Sequence, residues 1–283
     1  MPDSTWTVAE PKKLTFDEPV TALSVRIANG TVNVVGTDES SARLEISEID
    51  GPPLIVTRTG STLSVAYDDL PWKGFLSLLN PKSWKHHAVV SLAVPADAAV
   101  EVGVVGAGAV VSGIRGRTDV RGVSGDTTLV GLSGTVHAET VSGSLEAQSL
   151  TGDLRFDSVS GDLTVIEGAG SSVRAESVSG AMVIDLDGTP TDIRVTSVSG
   201  EVAIRLPHPA DARVEANTTT GVVSNAFEDL RVRGQWGAKK ITGTLGTGNG
   251  TLKATTVSGS IALLRRPARE DEPYADAPTG KVL

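Results

Sequence analysis

The chain has 283 residues, of which 39% are hydrophobic and only 4% aromatic, and 31 are glycine. Its core must therefore be built from aliphatic side chains. The net charge of −9 argues against a general affinity for nucleic acid, and the absence of cysteine excludes disulfides, thiolate metal sites and cysteine nucleophiles.

Targeting signals are not apparent. The first residues, MPDSTWTVAEPKK, lack the basic and apolar regions of a signal peptide. The longest apolar run, Val102 to Val111, is too short and too rich in glycine to span a bilayer. We therefore expect a cytoplasmic chain that at most contacts a membrane peripherally.

Residues 1–100 contain long segments in which apolar and polar residues alternate, such as LSVRIANGTVNVVG and AVVSLAVP. A period of two is typical of strands with one buried face. This part of the chain is predicted to be an N-terminal β region that caps the repeats following it.

The segment 68–88, DDLPWKGFLSLLNPKSWKHHA, interrupts this pattern. It holds two of the four Trp, and between Trp72 and His87 it has three lysines and no acid, so this stretch carries +3 while the rest of the chain carries −12. Two interpretations stay open: the segment covers one end of the core, or it contacts a partner protein or an anionic membrane surface. The candidate contact residues are Trp72, Lys73, Phe75, Leu76, Leu79, Trp84 and Lys85.

Beyond residue 101 a short unit of the form xVSGDLxV repeats. Its glycines recur every nine residues, at Gly125, Gly134, Gly143, Gly152, Gly161 and Gly170, and two such steps give a coil of 18 residues. Apolar residues two before and two and four after each glycine share one face, which indicates strands. The glycines at 180, 200, 221, 243 and 259 are predicted to mark further coils in chain order.

A strand with one apolar face cannot bury it alone, but stacked coils share a continuous core. We predict an all-β fold, a single-stranded right-handed parallel β-helix (β-solenoid), with coils over 101–265 and a disordered acidic tail over 266–283. Residues 260–266 are expected to form the outermost rung, where a second copy of the chain could add as a homo-oligomer.

The xVSGDLxV units, the segment VVSLAVPADAAVEV and the segment IANGTVNVVGTD resemble the bacterial family of adhesin-like β-strand repeats, also called the toastrack or LiaG-like domain. The resemblance extends over roughly residues 14–265. It implies a fold similar to right-handed β-helices, an association with envelope-stress systems and surface proteins, and no catalytic residues.

No catalytic, cofactor or metal site is predicted. The residue after the repeated glycine varies, whereas a calcium-binding β-roll needs an Asp in every copy. Asp153 with Asp162, and Asp185 with Asp187, could form acid pairs, but no distinctive base accompanies them. His86 and His87 should lie on opposite faces of a strand, and His137 is isolated in the sequence.

These observations predict a noncatalytic scaffold or protein-interaction module, linked to the bacterial cell envelope or to membrane stress. The expected partners are proteins, with no nucleic acid and no cofactor. Two alternatives stay open at this point: a carbohydrate-active β-helix enzyme, a lyase or hydrolase, and an exported adhesin-like binding module.

Overall fold

Strands dominate the computed structural model, which describes residues 4–68, 86–188, 192–235 and 237–267. The strands in these residues are, in chain order, β1 Ser4–Val8, β2 Lys12–Phe16, β3 Ala22–Ile27, β4 Asn29–Thr37, β5 Ala42–Asp50, β6 Leu54–Thr59, β7 Thr62–Tyr67, β8 His87–Pro95, β9 Ala99–Val104, β10 Gly108–Ser112, β11 Thr118–Gly122, β12 Thr127–Val130, β13 Val136–Thr140, β14 Leu145–Gln148, β15 Leu154–Ser158, β16 Leu163–Gly168, β17 Ser172–Ser179, β18 Met182–Leu186, β19 Asp192–Ser199, β20 Val202–Leu206, β21 Ala212–Thr218, β22 Val223–Asn225, β23 Arg231–Gln235, β24 Ala238–Leu245, β25 Gly250–Thr256 and β26 Ile261–Arg265.

The strands form two sheets. Sheet A has the order β1-β6-β7-β3-β9-β11-β13-β15-β17-β19-β25-β21-β24-β23, and sheet B has the order β2-β5-β8-β4-β10-β12-β14-β16-β18-β20-β26-β22. From β9 to β20 successive strands alternate between the two sheets, so each coil gives one strand to each. The predicted β-solenoid fold class is confirmed.

The register confirms the predicted coil length. Val136 of β13 pairs with Leu154 of β15, 18 residues later, and neighbouring strands of sheet B keep the same offset. The coil then lengthens, because Leu163 pairs with Met182, and Met182 with Val202. The first extra residue enters between Gly170, which stacks on Gly152 at an offset of 18, and Val173, which pairs with Leu154 at an offset of 19.

The alternation predicts the core correctly within the strands. Leu154, Phe156, Leu163 and Val165 are buried, whereas Thr164 on the opposite face is half-exposed. Like positions of successive coils lie over one another and form one continuous apolar cluster along the solenoid. Aliphatic side chains fill it because a coil of 18 residues leaves little space between its two strands.

Antiparallel strands close the N-terminal end. β3 and β4 already stack in parallel on β9 and β10, and β7 and β8 stack on them in turn. β6 and β5 then add antiparallel, followed by β1 and β2. Parallel stacking thus begins upstream of residue 100, and the division of the chain at that residue stays a prediction.

At the other end the coils do not follow chain order, which corrects the sequence prediction. β25 lies between β19 and β21, and β26 lies between β20 and β22. Gly243 is not at a corner but within β24, which runs antiparallel to β21. Residues 250–265 form a complete coil that pairs along both edges, whereas β22 has only three residues and is suited to the end of the stack.

Residues 260–266 are therefore not the outermost rung. Val202 of β20 and Val223 of β22 both pair with Ile261 of β26. Arg266, which was assigned to the disordered tail, contacts Asp185. The rest of the predicted tail, residues 268–283, lies outside the described residues.

Two truncations test this coil order. Deletion of 260–283 removes β26 from the interior, so β20 and β22 both lose their partner, and we expect aggregation and a lower melting temperature. Deletion of 268–283 keeps every described strand and should melt like the full chain. Scanning fluorimetry with light scattering measures both, and equal melting of the two truncations would contradict the coil order.

Candidate functional site

The VSG unit lies at the corner where the chain passes from sheet A to sheet B, and its valine faces outward. Val159, Val178, Val198 and Val257 are 49%, 50%, 48% and 50% exposed. The prediction that these valines share the inward face of the strand is wrong. Only the equivalent leucines of the opposite corner, such as Leu132 and Leu150, are buried.

The hydroxyl residue that precedes the valine in most coils, as at Val141, Val159 and Val178, explains the difference. Thr140 Oγ1 accepts a hydrogen bond of 3.1 Å from the backbone N–H of Gly143, and Ser158 Oγ accepts one of 2.8 Å from that of Gly161. At the equivalent positions Ser197 and Thr256 are buried. This residue occupies the inward position, so the alternation turns the following valine to solvent.

The serine after each valine holds one coil to the next. Ser142 Oγ donates to the carbonyl of Val123 at 3.1 Å, and Ser160 Oγ donates to that of Val141 at 3.1 Å. Because the same bond recurs along the stack, the valines lie one above another. We call this column the valine ridge; in spatial order it comprises Val105, Val123, Val141, Val159, Val178, Val198 and Val257.

The glycine of the unit allows this close stacking. A Cβ on Gly143 would overlap the carbonyl oxygen of Gly125 in the adjacent coil. The same overlap recurs along a column that reads, in spatial order, Gly125, Gly143, Gly161, Gly180, Gly200, Gly259 and Gly221. Glycine and the two hydroxyl residues therefore serve coil stacking, and the valine is the part of the unit left for contact with solvent or a partner.

A polar cluster on the outer face of sheet A contains His137. Its Nε2 lies 3.2 Å from Asp157 Oδ2 and 3.3 Å from Glu139 Oε1, and its Nδ1 lies 3.6 Å from Asp119 Oδ1. The expectation that His137 is isolated is wrong. The coil period carries the missed signal, because an offset of 18 places Glu139 opposite Asp157 and His137 opposite Asp119.

Arginines hold two of these carboxylates ionised. The hydrogen bond from Arg117 lowers the pKa of Asp119 below its usual value. Burial raises the pKa of Asp157, but hydrogen bonds from Arg155 and His137 outweigh burial and leave the pKa below its usual value. Both side chains are therefore negatively charged at neutral pH.

The acid pairs noted in the sequence do not form free acid–base pairs. Asp153 and Asp162 follow glycines of two different corner columns, and each bonds to the next coil, through Ser171 Oγ and the backbone N–H of Ala181. Asp185 and Asp187 do come together, but around a shared cation. Their contacts are with Arg205 and Arg266 for Asp185 and with Arg266 for Asp187.

The predicted contact residues Trp72, Lys73, Phe75, Leu76, Leu79, Trp84 and Lys85 all lie outside the described residues. The structure does describe both flanks of that segment. His86 is buried with its ring 4.7 Å from the ring of Tyr67, and His87 on the opposite face is exposed, as expected. The described residues on the two sides of the segment therefore lie close together.

In the described parts of the chain there is no helix that is both long and apolar enough to traverse a bilayer.

Residues 164–264 match the family model Toastrack DUF4097. The resemblance to the toastrack family is confirmed. The matched segment contains the coil of β25 and β26, which lies out of chain order, and three members of the valine ridge. The polar cluster around His137 precedes it. A toastrack domain indicates a binding or scaffold module.

Two solved structures show distant similarity. A proposed cell adhesion protein from Clostridium sporogenes has 11% identity over 91% of this chain and 100% of its own, with a TM-score of 0.25. A proposed lipid-binding protein from Parabacteroides distasonis has 11% identity over 92% of this chain and 98% of its own, with a TM-score of 0.36. Both TM-scores are low, so neither similarity supports a conclusion about this chain. None of the curated proteins matches it.

Substitution of the corner glycines tests the stacking. Gly143→Ala should lower the free energy of unfolding by about 2 kcal/mol or more, because the new methyl group meets the backbone of the adjacent coil. Gly108→Ala is the matched control, since its Cβ would lie 3.8 Å from the nearest atom, the carbonyl oxygen of Asp126. Chemical denaturation measures both, and equal effects would refute the packing argument.

The Asp185 contacts give a pH prediction. Burial opposes ionisation of Asp185, but the hydrogen bonds from Arg205 and Arg266 are stronger and lower its pKa. A lowered pKa stabilises the folded state above the ordinary value of 3.8, and this contribution disappears as the pH falls through the lower, folded value. Asp185→Asn should therefore cost about 1–3 kcal/mol at neutral pH.

The cost of Asp185→Asn should shrink below pH 3.8. Glu146→Gln, at an exposed position of β14, serves as the control for the loss of one carboxylate charge. Urea unfolding at several pH values measures the difference, and a constant difference at all pH values would contradict the assignment.

Proposed function

We propose that this chain is a noncatalytic β-solenoid scaffold that binds a protein partner along the valine ridge, in the setting of the bacterial cell envelope or membrane stress. The half-exposed valine column carries the proposal. The toastrack match supports the functional class, and the family resemblance supports the envelope setting.

The ridge has the character of a binding surface. Six steps of about 4.8 Å between rungs give it a length of roughly 29 Å. Monomeric proteins seldom expose a contiguous apolar surface without using it, and solenoids present extended binding surfaces. The neighbouring serine hydroxyls already bond to backbone carbonyls, so the ridge favours a partner that is itself apolar and extended.

His86, the first described residue after segment 69–85, lies at one end of the same corner. The carbonyl of His86 accepts hydrogen bonds from Asn29, from the backbone N–H at 3.1 Å and from Nδ2 at 3.2 Å. Gly106, next to Val105 of the ridge, donates to the carbonyl of Ala28 at 2.8 Å. This adjacency supports the proposal that the aromatic and lysine side chains of the segment extend the binding surface to a partner or a membrane.

A ridge variant with a matched control tests the proposal. Val159→Ser, Val178→Ser and Val198→Ser together remove the centre of the ridge. The control changes three exposed valines of sheet B to serine, Val35, Val110 and Val183. A photocrosslinker placed at position 178 identifies the partner in cells, and its affinity for the purified proteins is then measured. The ridge variant should lose about tenfold or more in affinity, and the control should bind like the unmodified chain.

Melting temperatures distinguish lost contact from lost folding, and both variants should melt like the unmodified chain. Unchanged partner affinity of the ridge variant would refute the ridge. Replacing Trp72, Phe75 and Trp84 together by Ser tests the adjoining segment in the same assay and with anionic liposomes. A large loss of stability with unchanged binding would assign that segment to the core.

A further inference from the structure

The His137 cluster has the composition of a metal site. Imidazole nitrogen and carboxylate oxygen are ligands that Zn²⁺ and related divalent transition ions accept, and the imidazole disfavours Mg²⁺ and Ca²⁺. The ligand atoms of His137, Glu139 and Asp157 all lie within 4.8 Å of one another. We propose that these three residues bind one divalent transition-metal ion, with Zn²⁺ as the best fit.

The distances are close to those of a bound ion. Two ligand atoms that each lie about 2.0–2.2 Å from a metal, at tetrahedral or octahedral angles, are about 3.0–3.5 Å apart. His137 Nε2 lies 3.2 Å from Asp157 Oδ2 and 3.3 Å from Glu139 Oε1. The two distances from His137 therefore need little change for an ion to bind.

The strands fix the three residues rigidly. His137 and Glu139 are alternate residues of β13 and so share its outer face, and Asp157 is the direct partner of Glu139 on β15. Sites supported by strands keep their geometry better than sites on loops. The side chains of His137, Glu139 and Asp157 are 23%, 40% and 27% exposed, which leaves room for water to complete the coordination.

A second set of contacts orients the ligands. A metal-bound His usually directs its other ring nitrogen at a carboxylate, and Asp119 Oδ1 lies 3.6 Å from Nδ1 of His137. Arg117 holds Asp119 through two hydrogen bonds of 2.7 and 2.9 Å. Arg155 likewise holds Asp157, at 2.7 Å to Oδ2 and 3.3 Å to Oδ1. Asp119 is thus a positioning residue.

The arginines also limit the affinity. Arg117 and Arg155 compensate the negative charges of their partner carboxylates, Asp119 and Asp157. Arg121 lies 3.5 Å from Glu139. An arriving cation must share Asp157 Oδ2 with Arg155, and Arg155 can retain Oδ1. We expect micromolar affinity for Zn²⁺, weaker than at a structural zinc site, where ligand charge is not compensated in this way.

Metal titration of the full chain tests the proposal. Isothermal titration at neutral pH with Zn²⁺, and with Mg²⁺ and Ca²⁺ for comparison, should show one Zn²⁺ per chain and no saturable binding of the other two. The visible spectrum of bound Co²⁺ reports its ligand geometry. His137→Gln should abolish the Zn²⁺ signal, and Asp119→Asn should weaken it about tenfold. His87→Gln is the control, because His87 is an exposed histidine 3.7 Å from a single carboxylate, Glu48.

The alternative is that His137 only forms ion pairs with its carboxylates. No saturable Zn²⁺ binding up to about 100 μM, or binding that His137→Gln leaves unchanged, would overturn the proposal in favour of that alternative. Metal-free melting curves establish that the variants fold. If His137→Gln does not fold, Glu139→Gln replaces it with the same expected loss of Zn²⁺ binding, and unchanged binding in that variant would equally overturn the proposal.

Discussion

Close approach of backbone to backbone at the corners is the constraint on which this solenoid depends. The carbonyl oxygen of one coil occupies the space that a Cβ of the next coil would need, so only glycine fits at Gly143 and Gly161. The hydroxyl residues before and after the valine form hydrogen bonds with backbone N–H and C=O groups of the corner, which have no strand partners. The repeated VSG unit therefore reflects a packing requirement. Because both corners of a coil must satisfy this requirement, it also sets the coil length.

In-register stacking converts each outward position into a column, and the character of the surface follows from this. Where the position is valine in seven successive coils, the column is the ridge. Where it varies, charges on adjacent rungs meet at about the spacing of paired strands. The outer column of sheet A contains Asp119, then His137, then Arg155, and the neighbouring column sets Glu139 beside Asp157. Local chemistry thus arises from residues about a coil apart in sequence.

Much of the fold was predictable, because nine-residue spacing and two-residue alternation are strictly local signals. They give the strands, the coil of 18 and the inward positions of Leu154, Phe156 and Leu163. They do not distinguish the two corners, so the outward turn of Val159 was missed. The His137 cluster required the register as well as the period. The order of the last coils was beyond sequence reasoning, since the similar corners TTTG at Gly221 and TVSG at Gly259 allow either arrangement.

The coil of β25 and β26, which lies out of chain order, also constrains how the chain can fold. During synthesis from the N-terminus, β21 to β24 emerge before β25 and β26, yet their final places are farther from β19 and β20. The free edge of β19 and β20 either stays unpaired until the last coil is synthesised, or pairs too early with β21 and must then separate from it. Folding of this end therefore requires closure of a long loop, which slows it. During this interval an open strand edge is exposed, and pairing with another chain competes with completion of the fold.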